Sequence, residues 1–246
     1  MDSPRLSRRR LLTGGAIAGV IPIVSAVTLS GSTPWHEGSA DAPHAALVAL
    51  SAGYFFLTPK EAAFVEAAVA RLIPKDDMGP GAIEAGVPGF IDSQLAGDYG
   101  QASSWYMQGP WRAGEKTQGY QTRMTPAALY RSAIREIDHE VGKAHDGTLF
   151  HTLAVEDQDA WLDRLEKGEV SLPTTDAKTF FTMLLQNTKE GFWSDPIYGG
   201  NRDMVGWKLI GFPGARYDHR EFVSHHNERY PLPPVGISGR PEWKKG

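Results

Sequence analysis

The chain has 246 residues, with 25 Lys and Arg against 29 Asp and Glu and no cysteine, which suits one compact domain, or two small ones, with a real core. The lack of cysteine excludes structural disulfides, thiolate zinc sites, iron–sulfur clusters held by this chain, CxxCH haem attachment and a catalytic thiol. A net charge of −4 argues against a nucleic-acid partner.

The first 30 residues read as an address. Ser7-Arg8-Arg9-Arg10-Leu11-Leu12 follows the twin-arginine export pattern, with Arg8 and Arg9 as the paired arginines, and no charge occurs from Leu11 to Trp35. Gly14, Gly15, Gly19 and Pro22 interrupt the apolar run, whereas a dedicated membrane span is apolar over ~20 residues. Cleavage after Ala26, with Val24 at the −3 position, fits the pattern; the alternative is an uncleaved N-terminal anchor. Four basic residues and one acidic residue fall in this segment, so its loss leaves 21 against 28, a net −7. The twin-arginine route carries proteins that fold before crossing, often because they hold a cofactor or a partner.

Residues 31–56 are rich in Ala, Gly and Ser and read as a linker. Thr58-Pro59-Lys60-Glu61 then supplies a helix N-cap, a proline at the first helical position and a Glu three residues after the cap. Ala62, Val65, Val69 and Leu72 repeat at helical spacing until Pro74 and the Gly79-Pro80-Gly81 run. A short helix is expected over residues 88–96. Residues 97–124 break the pattern with Gly, Gln and the aromatics Tyr99, Trp105, Tyr106, Trp111 and Tyr120. Long loops of this kind inside a domain usually bind something.

Helix signals return at Thr125-Pro126, with Leu129, Ile134, Ile137 and Val141 on one face up to about Lys143. A further helix is expected over residues 155–166, with Glu156 and Asp157 in the first turn, where the helix dipole favours them. Another runs from Asp176 to about Lys189, burying Phe180, Phe181 and Leu184, with Leu185 as a further candidate. With no strand alternation, internal repeat or glycine-rich phosphate loop, the expected fold class is all-α, a compact helical domain with long aromatic- and glycine-rich loops.

Residues 190–214 are turn-rich, with six glycines, yet hold Phe192, Trp193, Tyr198, Trp207 and Phe212, so they must pack against something. Here the chain resembles the gluconate 2-dehydrogenase subunit 3 family. The resemblance covers residues 57–223: Leu57-Thr58-Pro59-Lys60-Glu61, then Leu72-Ile73-Pro74, and most specifically residues 191–212. Residues 105–111 and Gln118-Gly119-Tyr120-Gln121 look like the longer, gluconate-dehydrogenase-like members.

The resemblance implies a small subunit without catalytic, cofactor-binding or metal-binding residues of its own. In such complexes a large subunit carries FAD and oxidises the substrate, and a multihaem cytochrome c subunit passes electrons to the respiratory chain. The small subunit supports the large one and supplies the signal read by the twin-arginine translocase. The complex is then expected in the periplasm, on the outer face of the cytoplasmic membrane. Residues 57–223 form the family domain on this reading, and residues 224–246 an extended C-terminal tail, either a disordered end or an arm along a partner. The one departure is Ala154, where a capping Ser or Thr is expected.

Exposed Trp and Tyr dominate binding energy at protein interfaces, so the partner surface is expected among Trp105, Trp111, Tyr120, Trp193, Tyr198, Asn201, Trp207 and Phe212. Trp193 and Trp207 serve equally as core residues of the chain itself. His219, His225 and His226 near Asp218 and Glu221 read as a solvated tail and not as a ligand set. Glu136, Asp138 and Glu140, or Glu156, Asp157 and Asp159, read as the wet faces of amphipathic helices and not as catalytic pairs. The alternatives from other classes are a stand-alone periplasmic enzyme or ligand-binding helical protein, and a transient export chaperone.

Overall fold

The computed structural model describes residues 53–239 apart from 113 and 116. The expected twin-arginine segment, the expected linker as far as residue 52 and the lysines near the C-terminus lie outside the described residues. Within them six α-helices form, α1 (Pro59–Leu72), α2 (Val87–Ala96), α3 (Pro126–Ala144), α4 (Val155–Lys167), α5 (Ala177–Trp193) and α6 (Val205–Ile210), joined by short 3-10 turns. Among the described residues there is no strand, only isolated bridges. The fold is all-α. None of these helices is long and apolar enough to cross a membrane.

Local chemistry sets the helix starts. Thr58 and Glu61 form a reciprocal capping box on α1, Glu61 N–H donating to Thr58 Oγ1 at 3.4 Å and Thr58 N–H to Glu61 Oε2 at 2.8 Å. Thr125 caps α3 and Asp176 caps α5 in the same sense. Ala154 leaves α4 without a side-chain cap, so the dipole rests there on Glu156 and Asp157.

Helix α5 is the hub, packing against α1, α2, α3, α4 and α6. Phe180 meets Tyr130 of α3 edge-on at 5.4 Å, and Phe64 of α1 meets Phe150 at 4.6 Å, the kind of ring contact that adds specificity to apolar burial. Arg71 on α1 clamps Asp159 on α4 with two bonds of 2.8 and 2.9 Å. The helix runs four residues beyond Lys189, through Gly191 to Trp193. Gly191 is a place of close approach and not a stop: a Cβ there would lie 2.8 Å from the Phe90 ring of α2, so its missing side chain lets α2 cross.

Buried carboxylates tie down segments that have no secondary structure. Asp92, 0% exposed on α2, accepts the N–H groups of Phe55, Phe56 and Leu57 at 2.7, 2.9 and 2.8 Å. The last residues of the expected linker are thereby fixed to the body, with Tyr54 and Phe56 packed on the core. Glu136 is also buried, which corrects its placement on a wet helix face. Its carboxylate accepts the N–H and hydroxyl of both Thr174 and Thr175, the residues that lead into α5. Of its neighbours, Asp138 accepts the Phe150 N–H at 3.1 Å and Glu140 pairs with Lys143. Asp195 bonds Ile197 N–H at 3.0 Å and Ile237 N–H at 2.7 Å.

Beyond α6 the chain makes an excursion of 20 residues, 215–234, and returns. Gly214 and Val235 form a parallel bridge, with Ala215 N–H donating to Val235 O and Val235 N–H to Pro213 O. The excursion carries its own small cluster, with Phe222 and Tyr230 rings 4.7 Å apart and Arg216 over Tyr230. Asp218 pairs there with Arg220 and His225 with Glu228. Tyr217 is 97% exposed.

Two outcomes test these clamps. Asp92→Ala leaves three donors without acceptors and is expected to cost about 4 kcal/mol, read as a lower urea midpoint with faster proteolysis at Phe55 and Phe56; an unchanged midpoint would remove the clamp. Burial opposes ionisation of Glu136, but the bonds from Thr174 and Thr175 together outweigh it and hold its carboxyl below the usual glutamate range. A group with a depressed folded pKa stabilises above the ordinary value of about 4.3 and loses that contribution as the pH falls through the folded one. Wild type is thus expected to exceed Glu136→Gln in stability most near neutrality, with the gap closing in acid; a constant gap would count against it.

Candidate functional site

The eight residues expected to face a partner fall in two aromatic regions of the chain. The first is the loop between α2 and α3. Three rings stack at its base, Tyr99 edge-on to Trp105 at 5.7 Å and Trp105 to Tyr120 at 5.4 Å. Tyr99 donates its hydroxyl to Asn187 Oδ1 on α5 at 3.0 Å, and Tyr120 donates to Met124 O at 2.7 Å. Burial pushes the Tyr99 phenol up to about 12 and raises Tyr120 as well, so both remain protonated donors at neutral pH. Ala127 N–H donating to Gly100 O at 3.0 Å anchors the loop to the start of α3.

Above this base the loop is open. Tyr106 is 80% exposed and Trp111 40%, and together with Met107 and Pro110 they wall a cleft of about 500 Å³ over Trp105 and Tyr120. A second hollow continues from it past Trp111, Arg112 and Gln121 to Arg123. Base and rim differ in kind, since the base is held by bonds within the chain and the rim rings are left uncovered.

The second surface forms where α5 ends. Three of the four residues 201–204, Asn201, Asp203 and Met204, adopt positive φ, a region disfavoured for side chains other than those of Gly, Asn and Asp. Asn201 compensates. It is 0% exposed, donates to Ser194 O at 2.8 Å and accepts from Gly206 N–H at 2.8 Å, stapling the turn to the end of α5 and to α6. Two glycines permit the approach, because a Cβ on Gly200 would lie 2.1 Å from Gly191 O and one on Gly206 2.3 Å from Phe192 O. Trp207, buried, donates its indole N–H to Trp193 O at 2.7 Å, and Arg202 N–H donates to Ala85 O at 2.9 Å, fixing the turn to the connection before α2.

The expected interface residues therefore divide. Asn201 and Trp207 lie inside, where their polar atoms are satisfied by the chain itself. Tyr120 and Trp193 are half-buried against the core, and Trp105 is half-buried between Tyr99 and Tyr120. Trp111, Tyr198 and Phe212 are exposed. The structure adds Tyr106, Ile197, Ile210 and Ile237 to the uncovered apolar groups. Tyr106 was visible beside Trp105 in the loop, whereas Ile237 joins Ile197 only because both N–H groups converge on Asp195, 42 residues from Ile237 in sequence. No group of three or more His, Asp and Glu side chains able to hold a metal ion occurs among the described residues.

Loss of the Asn201 staple is expected to be costly. Asn201→Ala removes two buried bonds and leaves Ala at positive φ, about 2–4 kcal/mol in all, while Tyr198→Ala on the neighbouring surface is expected to cost under about 1 kcal/mol. Urea unfolding of the two variants checks the contrast, and similar losses would abolish the distinction between staple and surface.

No curated protein and no solved structure matches the chain. The family model described as gluconate 2-dehydrogenase subunit 3 matches residues 59–214, from the first helical residue of α1 to the glycine at which the 215–234 excursion begins. The chain belongs to the gluconate 2-dehydrogenase subunit 3 family, and is thus a subunit of a multi-subunit dehydrogenase complex.

Proposed function

We propose that this chain is the non-catalytic small subunit of an FAD-dependent gluconate 2-dehydrogenase-type complex, which binds and stabilises the flavoprotein subunit and carries its twin-arginine export signal. Family membership over residues 59–214 is the observation that carries this reading. The exposed rings of Tyr106, Trp111, Tyr198 and Phe212 support it, since Trp and Tyr carry much of the binding energy where proteins meet. FAD would sit in the large subunit and haem c in the cytochrome subunit.

The mechanism is physical. The small subunit binds the folded flavoprotein and not its unfolded chain, and so stabilises it by mass action, by about 2.7 kcal/mol at a free concentration 100 times the dissociation constant. Arg8 and Arg9 then address the folded pair to the twin-arginine translocase, and the complex works on the periplasmic side of the cytoplasmic membrane.

Gentle detergent purification of the tagged full chain from its native membranes tests the reading. Co-elution of a flavoprotein and a cytochrome, with flavin and haem absorbance, is expected; a colourless monomer would overturn the role of lasting subunit. Combined Arg8→Lys and Arg9→Lys substitution is expected to strand both the small subunit and the flavoprotein in the cytoplasm. Normal export of the flavoprotein in that strain would refute the escort role.

A further inference from the structure

We infer that the cleft of the α2–α3 loop is a docking groove for a carboxylate-bearing, partly apolar segment of the flavoprotein subunit, with Tyr106 and Trp111 receiving the apolar side chains and Arg112 and Arg123 the carboxylates. The inference rests on the proposed function for the identity of the partner.

Its first support is the division of labour within the loop. Trp105 and Tyr120 are held from below by edge-on ring contacts and by the Tyr120–Met124 bond, so the floor is formed by the chain's own contacts. Tyr106 and Trp111 stand on that floor without cover. A preformed floor with uncovered Trp and Tyr at the rim lowers the ordering cost of association, and these residue types carry most interface energy.

The second support is charge. The chain is acidic overall, at −4, yet Arg112 and Arg123 line one continuous hollow, and neither has a carboxylate partner among the described residues. Elsewhere Arg71 and Arg220 are engaged by Asp159 and Asp218, and Arg131, Arg164 and Arg216 lie over rings of the chain itself. An arginine pair left free beside an aromatic wall is complementary to carboxylates presented on an apolar stretch, since guanidinium and carboxylate match in a planar fork. The cleft and its continuation share Trp111, Arg112 and Gln121, so an elongated occupant reaches the rings and the charges together. That extent favours a polypeptide segment over a single small molecule.

The test uses the complex purified with full-length small subunit, diluted at increasing KCl and scored for flavoprotein retained. Arg112→Glu with Arg123→Glu is expected to weaken retention at least about tenfold and to flatten its salt dependence, with the thermal midpoint of the small subunit unchanged because both side chains are exposed. Tyr106→Ala is expected to weaken retention while preserving the salt dependence. Wild-type retention by the charge-reversed variant overturns the groove, as does loss of retention with Phe212→Ser alone, which would move the interface to the α5 end. Failure of the wild-type chain to retain flavoprotein at any salt counts instead against the proposed function. Gluconate is the control probe: saturable quenching of the tryptophan fluorescence of the small subunit, abolished by the double reversal, would assign the cleft to a small sugar acid and overturn the segment.

Discussion

The fold depends on how closely backbone approaches backbone at the C-terminal end of α5. Helix α5 touches every other α-helix among the described residues, and its last turn receives Phe90 against Gly191, Gly200 against the Gly191 carbonyl and Gly206 against the Phe192 carbonyl. A methyl group at any of these positions would drive two elements apart in an interior packed without spare volume. With the approach in place, Asn201 can reach Ser194 and Gly206, and the Trp207 indole can reach the Trp193 carbonyl. The exposed positions of Tyr198 and Phe212 then follow from a rigid turn, and the surface they form is preorganised.

Much of this architecture was legible in the sequence because it is local. Thr58, Thr125 and Asp176 announce their helices by capping chemistry that operates within three residues, and the apolar spacing of α1 and α3 needs no tertiary knowledge. The end of α5 was not legible. Gly191 looks the same in sequence whether it stops a helix or lets another helix cross it, and only the position of Phe90, about a hundred residues away, decides. The aromatic surfaces were legible as composition and not as placement: Trp207 is buried by a bond to Trp193 while Trp111 stays open, and both are tryptophans in glycine-rich stretches. Glu136 was misplaced for the same reason, since its four bonds come from Thr174 and Thr175, 38 and 39 residues downstream.

Buried carboxylates do in this cysteine-free chain what crosslinks do in others. Asp92 holds the entry to α1, Glu136 the entry to α5, and Asp195 the returning C-terminal segment. Each gathers backbone N–H groups that no helix or sheet would otherwise satisfy, the condition under which burying a charge is tolerable. Such clamps require no oxidation. Their formation is therefore independent of the redox state of the compartment in which the chain folds.

The closed base of the 215–234 excursion makes it a module. Its ends meet at Gly214 and Val235 and are pinned by Ala215 and by Ile237 on Asp195, while its interior contacts are its own. The family match stops where it starts. Because the entropy of closing a loop grows only slowly with its length, the scaffold is nearly indifferent to what is carried between those two points. The site is thus a natural socket, where an epitope or a fluorescent reporter can be carried, or the excursion shortened, without disturbing the junction around α5.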